Sequence, residues 1–177
     1  SYQREFLELW KVEALRKHLR VLLIEFLGQM NQPLEFEKTC MADVMSSPKL
    51  RMFGLKAISS SPGWFTHFAS TTIREAMSGT DPEANQALKI FSQNWKANGK
   101  LVLQLIKERW LPNPERDGYS WMAIHECPLW TSDVEEIAVI ILNRTPISIR
   151  QVEHTAMTLA VEQHDVALRL VWAKLDF

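Results

Sequence analysis

Residues 2–30 read YQREFLELWKVEALRKHLRVLLIEFLGQM, and within them Phe6, Leu7, Trp10, Ala14, Leu15, Leu19, Leu22, Leu23, Phe26 and Leu27 recur three and four positions apart. An α-helix brings a side chain back to the same face every 3.6 residues, whereas a strand alternates every two. The spacing therefore predicts one amphipathic helix from Tyr2 to Met30, about eight turns long. Arg4, Glu8, Lys11, Arg16, Lys17 and Arg20 fall on its other face, and the stretch from Gly28 to Pro33 supplies the stop.

The same period runs outward along the chain. Phe36, Cys40 and Val44 share a face of a helix predicted over 34–44, and Leu50 to Ile58 adds one or two turns. Ser59-Ser60-Ser61-Pro62-Gly63 punctuates the chain ahead of a second amphipathic stretch, Trp64 to Met77. Thr80-Asp81-Pro82-Glu83 has the residues of a capping box and opens a helix toward Trp110, with Asn98-Gly99 as the expected break or kink. Pro112, Pro114, Gly118 and Pro128 then predict an irregular connection, pinned by Tyr119, Trp121 and Trp130. Thr131-Ser132-Asp133 caps a helix to about Asn143, and Thr145-Pro146 opens another at Ile147. The expected fold is all-α, a single-domain helical bundle over 1–177 of about six to eight helices. Its subdivision would be a bundle (1–111), an irregular connection (112–130) and a C-terminal helical segment (131–177).

Composition bounds the function classes. A chain of 177 residues with 46% hydrophobic residues and seven Trp is long enough for one globular core. The formal net charge of -1 supplies no global attraction for nucleic acid or anionic lipid, so any such contact needs a local patch. Residues 111–177 hold five Lys/Arg against ten Asp/Glu, which makes this the acidic third. The apolar runs Val21–Ile24 and Ile137–Leu142 fall far short of the ~20 residues of a membrane span. Cys40 and Cys127 are too few and too far apart for a disulfide framework or zinc set, so both are expected reduced in a cytoplasmic setting. The chain starts Ser1-Tyr2 without Met or an apolar signal region and reads as a piece of something longer.

Ala156, Leu159, Ala160, Val161 and Val166 follow the spacing in which a small residue admits a close helix approach and apolar residues fill the wedge. On that spacing, Ile147 to Leu175 resembles the paired helices of a helix-turn-helix or winged-helix domain, without a clear wing. The segment departs from the pattern in lacking Gly at the turn and in carrying Arg169 where an apolar residue is usual. With no Gly or Pro between them, the same residues also fit one uninterrupted helix, with Val152, Ala156, Leu159, Val166 and Leu170 as its buried stripe. If the turn exists, its second helix presents Glu162, Gln163, His164, Asp165 and Arg169, an acidic surface better suited to protein than to phosphate.

No catalytic, cofactor-binding or metal-ligating set emerges. His125-Glu126-Cys127 offers three donor groups, but in an extended segment neighbours point to alternate sides. Glu153-His154 and Gln163-His164 are too far apart for one helix face, and His67 is expected packed within the Trp64 to Phe68 cluster. Lys11, Arg16, Lys17 and Arg20, with Lys96, Lys100, Lys107 and Arg109, form a candidate nucleic-acid stripe if their helices lie side by side. Trp121, Trp130, Arg169 and Trp172 are the candidate protein interface, of residue types that interfaces favour. The leading expectation is a non-enzymatic helical interaction module, an adaptor or subunit of a larger protein assembly, with a protein or a second copy of the chain as partner and no membrane. The alternative is a nucleic-acid-binding regulator or complex subunit.

Overall fold

The computed structural model describes residues 2–10, 17–30, 32–68 and 71–175, and among them every regular element is helical. Contacts divide the chain into two compact units, Ser1–Gln93 and Asn94–Phe177, with the boundary inside a long helix.

The first unit holds α1 (Tyr2–Trp10), α2 (Lys17–Gly28), α3 (Glu35–Ser46), α4 (Arg51–Ser59), α5 (Phe65–Phe68), α6 (Thr72–Met77) and the start of α7 (Asp81–Leu105). The expected join of α1 and α2 into one helix falls on 11–16, outside the described residues. The buried line of α2 is also not the expected one: Ile24, Leu27 and Gly28 are buried, whereas Leu19, Leu22 and Phe26 are exposed. Gly28 explains the roll. A Cβ there would lie 2.7 Å from Ala57 Cβ and 2.8 Å from the Ala57 backbone, so only glycine lets α2 approach α4 this closely. The end of α2 is tied down by side chains from farther along: Trp64 Nε1–H donates to Leu27 O at 3.0 Å and Ser61 Oγ to Met30 O at 3.0 Å. The indole adds to the Met30 amide on Leu27 O, and the Ser61 hydroxyl supplies a partner for the Met30 carbonyl beyond the helix end. Trp64, Phe65, Phe91 and Met77 are fully buried in this core. The Glu83 carboxylate accepts from the Thr80 amide at 2.9 Å, as the capping-box residues predicted, while the Thr80 hydroxyl donates to the same oxygen.

The second unit holds the rest of α7, α8 (Asp117–His125), α9 (Ser132–Leu142), α10 (Ile149–Ala160) and α11 (His164–Leu175). Eleven α-helices are therefore present among the described residues, more than the six to eight expected, because the stretch that ends at Met77 holds two short helices, α5 and α6, and α8 lies in the run expected to be irregular. The kink expected at Asn98-Gly99 lies at Asn98, whose φ of -131° and ψ of 23° leave the helical region. A π-turn, Ile106–Trp110, follows α7.

Residues 112–130 depart from the expected irregular connection. A 3-10 turn, Pro114–Arg116, leads directly into α8. Proline interrupts a helix from within but suits its first turn, and here Pro114 follows Asn113, whose side chain accepts from the Glu115 amide at 3.1 Å. The decisive contact is charged. Asp117 is wholly buried, and Arg144 reaches it with Nε at 2.8 Å and Nη2 at 2.5 Å while also donating Nη2–H to Leu111 O at 2.6 Å. Thr145 Oγ1 donates to the same carboxylate. The start of α8, the residue that follows the π-turn and the exit of α9 thus meet at one guanidinium, whose own pKa this hydrogen bonding raises.

Pro146 lies before the helix that it was expected to open. Ser148 is the N-cap, its Oγ accepting from the Gln151 amide at 3.3 Å, and α10 begins at Ile149. The chain breaks again at Val161-Glu162-Gln163, so 147–175 is two helices and not one. The turn contains no Gly or Pro; the Glu162 and Gln163 amides donate to Leu159 O, and the Gln163 side chain ties it to the Trp130 main chain. α10 and α11 pack on each other and α11 also meets α9, with Val152, Ala156, Leu159, Val166, Ala167 and Leu170 buried. No strand accompanies the pair among the described residues, so the resemblance to a winged helix extends to two packed helices and no further.

Removing one member of a buried ion pair strands the other, at a cost of about 3–5 kcal/mol. Arg144→Leu leaves the Asp117 carboxylate buried with Thr145 alone and is expected to destabilise the second unit by that amount in urea unfolding. Asp117→Asn keeps the Thr145 contact and lets the partly exposed Arg144 turn to solvent, so it is expected to cost less, about 1–3 kcal/mol. The reverse order would contradict this account.

Candidate functional site

The C-terminal end of α8 is fixed by two indole N–H groups. Trp95 Nε1 donates to Ala123 O at 2.9 Å and Trp130 Nε1 to Ile124 O at 3.1 Å. Beyond the helix, Gln163 uses its amide as a surrogate peptide: the Trp130 amide donates to its Oε1 at 2.7 Å and its Nε2 donates to Trp130 O at 2.7 Å. The segment after α8 and the turn between α10 and α11 are thereby clamped together. Between them opens a pocket of about 440 Å³, lined by His125 to Pro128 on one wall and by Thr155, Thr158, Leu159 and Val161 to Gln163 on the other.

His125, Glu126 and Cys127, expected to point to alternate sides, all line this one pocket. His125 is the last residue of a helix and not part of an extended run, so alternation does not apply to it. Its ring lies against His154, with centroids 4.9 Å apart, and its Nδ1 is 3.1 Å from Thr155 Oγ1. Thr155 is buried, and its hydroxyl donates to Gln151 O at 3.0 Å. A hydroxyl has one proton, so Thr155 accepts from His125 Nδ1–H, and Nε2 is left as an acceptor. Burial, and then the neighbouring His154, lower the His125 pKa and hold this neutral form.

The thiols are not poised as nucleophiles. Burial raises the Cys127 pKa, and its Sγ–H donates to Leu129 O at 3.2 Å. Cys40 is pushed up to about 11, first by burial and then by Asp43 and Glu37. Among the described residues no group of three or more His, Cys, Asp or Glu is placed to hold a metal ion.

The other candidate residues scatter. Trp121 and Trp130 are buried in the core of the second unit, which removes them from the expected protein interface: their indoles serve packing and the α8 clamp instead. Arg169 is on the surface but committed, with both guanidinium contacts to Glu135 at 3.0 Å. That pairing accounts for a cation where a helix-turn-helix carries an apolar residue. Trp172 alone of the four is broadly exposed and uncommitted, at 62%. In the basic stripe, Lys11 and Arg16 lie outside the described residues, as does the Lys17 side chain, and Arg20 is half-buried in the first unit. Lys96, Lys100 and Arg109 are exposed in the second unit, while Lys107 pairs with Asp133 at 2.8 Å and with Glu136 at 3.6 Å. His67, expected packed, is exposed, and the His18 side chain is outside the described residues.

Of the lining residues, Glu162 and Gln163 were expected only as part of the surface presented by the second C-terminal helix, and Thr155 was not singled out; the clamp made by Gln163 had no signal in the sequence, because it depends on a main chain 33 positions away.

The depressed His125 pKa has a consequence for stability. The unfolded chain takes up a proton near the usual histidine value, about 6.5, while the folded chain resists until lower pH. Stability is full above that value and falls as pH drops from it toward the folded pKa. Urea unfolding of the native chain is expected to show this loss between pH 7.5 and 5, and His125→Asn, which cannot titrate, is expected to show a smaller one. An equal loss in both would remove His125 as its source.

No protein-family profile, curated protein or solved structure matches this chain, so the site is defined by its own geometry.

Proposed function

We propose that the chain is a helical interaction module that joins a larger protein assembly through the outer face of α11. The observation that carries this reading is that α11 is apolar on two opposite faces. Val166, Ala167 and Leu170 are buried against its own unit. Leu168, Trp172 and Leu175, spaced four and three apart, are 47%, 62% and 65% exposed and form a stripe on the other side.

A helix that packs one stripe and faces water with the other normally carries polar residues there. Burying a large apolar side chain is worth about 1.5–3 kcal/mol, and a tryptophan flanked by leucines is the residue type on which interface energy concentrates. The acidic balance of residues 111–177 supports a protein partner over a phosphate backbone, since five cations oppose ten anions there. A nucleic-acid role is the weaker reading: Lys107, within the candidate basic row of the second unit, is already neutralised by α9.

Hydroxyl-radical footprinting of the protein in its native assembly, purified under mild conditions, against the isolated chain tests the reading. Leu168, Trp172 and Leu175 are expected to be strongly protected in the assembly and oxidised in the isolated chain, with Met157 as an exposed reference on α10. Equal oxidation of the three residues in both states would overturn it.

A further inference from the structure

Gly99 lies within the 25-residue helix α7, and nothing in the packing requires a glycine there. Glycine inside a helix costs about 1 kcal/mol against alanine. Among the described residues no glycine has a positive φ, and a Cβ on Gly99 would meet only the Trp95 ring, at the ordinary contact distances of 3.4 and 3.8 Å. The position contrasts with Gly28, where a Cβ would lie 2.7 Å from Ala57. What Gly99 does is leave the residue before it open to chemistry. Asn98 is the one asparagine of six that precedes a glycine, and it is half-buried, so water reaches it. The angle that aims the Gly99 nitrogen is ψ of Asn98, which stands at 23°, away from the helical setting of about -42°. The bond that a regular helix would use to hold that nitrogen in place is therefore already turned, and a residue without Cβ follows further rotation freely.

We propose that Asn98 is a site of self-modification, converted through a succinimide to isoaspartate and aspartate, and that the conversion releases the end of α8 held by Trp95. The Gly99 nitrogen loses its proton and attacks Asn98 Cγ. A bond from that nitrogen to Cγ forms, the bond from Cγ to the side-chain nitrogen breaks, and ammonia leaves with the proton. Water then opens the ring at either carbonyl, and no oxidant or reductant is needed. Opening at Cγ gives aspartate; opening at the main-chain carbonyl gives isoaspartate, with the chain running through the β-carbon. Both products place a carboxylate where a neutral amide stood. Isoaspartate also lengthens the main chain by one carbon, which shifts Gly99 against the Trp95 ring beside it and withdraws the indole from Ala123 O. Asp117-Gly118 would close the same ring with loss of water, but its carboxylate is wholly buried and held by Arg144 and Thr145. The modification is therefore confined to α7, and it is independent of the α11 stripe.

Incubation of the native chain in neutral and mildly alkaline buffer, followed by peptide mapping, tests the site. The peptide that carries Asn98 is expected to gain the mass that separates a carboxylate from an amide, as an isoaspartate–aspartate mixture, faster at the higher pH because the attacking nitrogen must lose its proton. Gly99→Ala is expected to slow the conversion roughly tenfold or more, since a side chain hinders the nitrogen's approach, and to fold at least as well as the native chain. Asn98→Gln, which would have to close a larger ring, is expected to stay intact. The converted fraction, separated by its added charge, is expected to exchange the amides of Trp121 to His125 faster than the unconverted fraction. Absence of conversion at Asn98, or an equal rate in Gly99→Ala, overturns the site. Unchanged exchange in the converted fraction overturns its link to α8.

Discussion

A buried carboxylate that has found its cation organises the C-terminal half of this protein. Asp117 has no access to water, and an uncompensated charge there would cost several kcal/mol. The fork of Arg144 removes that cost and adds a bond to Leu111 O, so three chain segments must meet where the guanidinium sits. Once the start of α8 is held there, its far end is reached by Trp95 and Trp130, whose indole N–H groups would otherwise be buried without acceptors. The pocket wall at His125 to Pro128 is a consequence of these anchors. The opposite wall follows from one more, the Gln163 amide on the Trp130 main chain.

The same half of the molecule shows how packing and surface chemistry divide between faces. α10 and α11 spend their inner faces on each other, α11 also meets α9, and the Arg169–Glu135 pair closes one flank of that contact. The outer face of α11 keeps leucines and a tryptophan in water, where nothing in the fold requires them. The pocket at the same turn mixes polar and apolar side chains, Glu126 and Glu162 with Pro128, Leu159 and Val161.

Much of the architecture was legible from periodicity. Helix class, the stop before α3, the kink at Asn98 and the reach-back of Glu83 all depend on local spacing that a reader of residues can see. What escaped depended on distance. The Pro-rich run 112–130 looked irregular because Asp117 declares its role only through Arg144, 27 positions later. Trp121 and Trp130 looked like interface residues because aromatic identity does not reveal direction, and their burial is set by neighbours elsewhere in the chain. The break at 161–163 was left open between one helix and two, since the residue that holds it is an ordinary glutamine. Trp172 stood out by type and is exposed, but its stripe with Leu168 and Leu175 becomes meaningful only once the opposite face of α11 is known to be buried.

The account stands on the claim that the segment after Pro112 is an ordered helix, locked at both ends. Hydrogen exchange measured amide by amide on the native chain tests this most directly. Amides of Trp121 to His125 are expected to exchange as slowly as those in the middle of α9, because a helix bonded at both termini opens only with its unit. Exchange at the rate of an unstructured loop would contradict the anchors, the pocket wall they hold and the reading built on it.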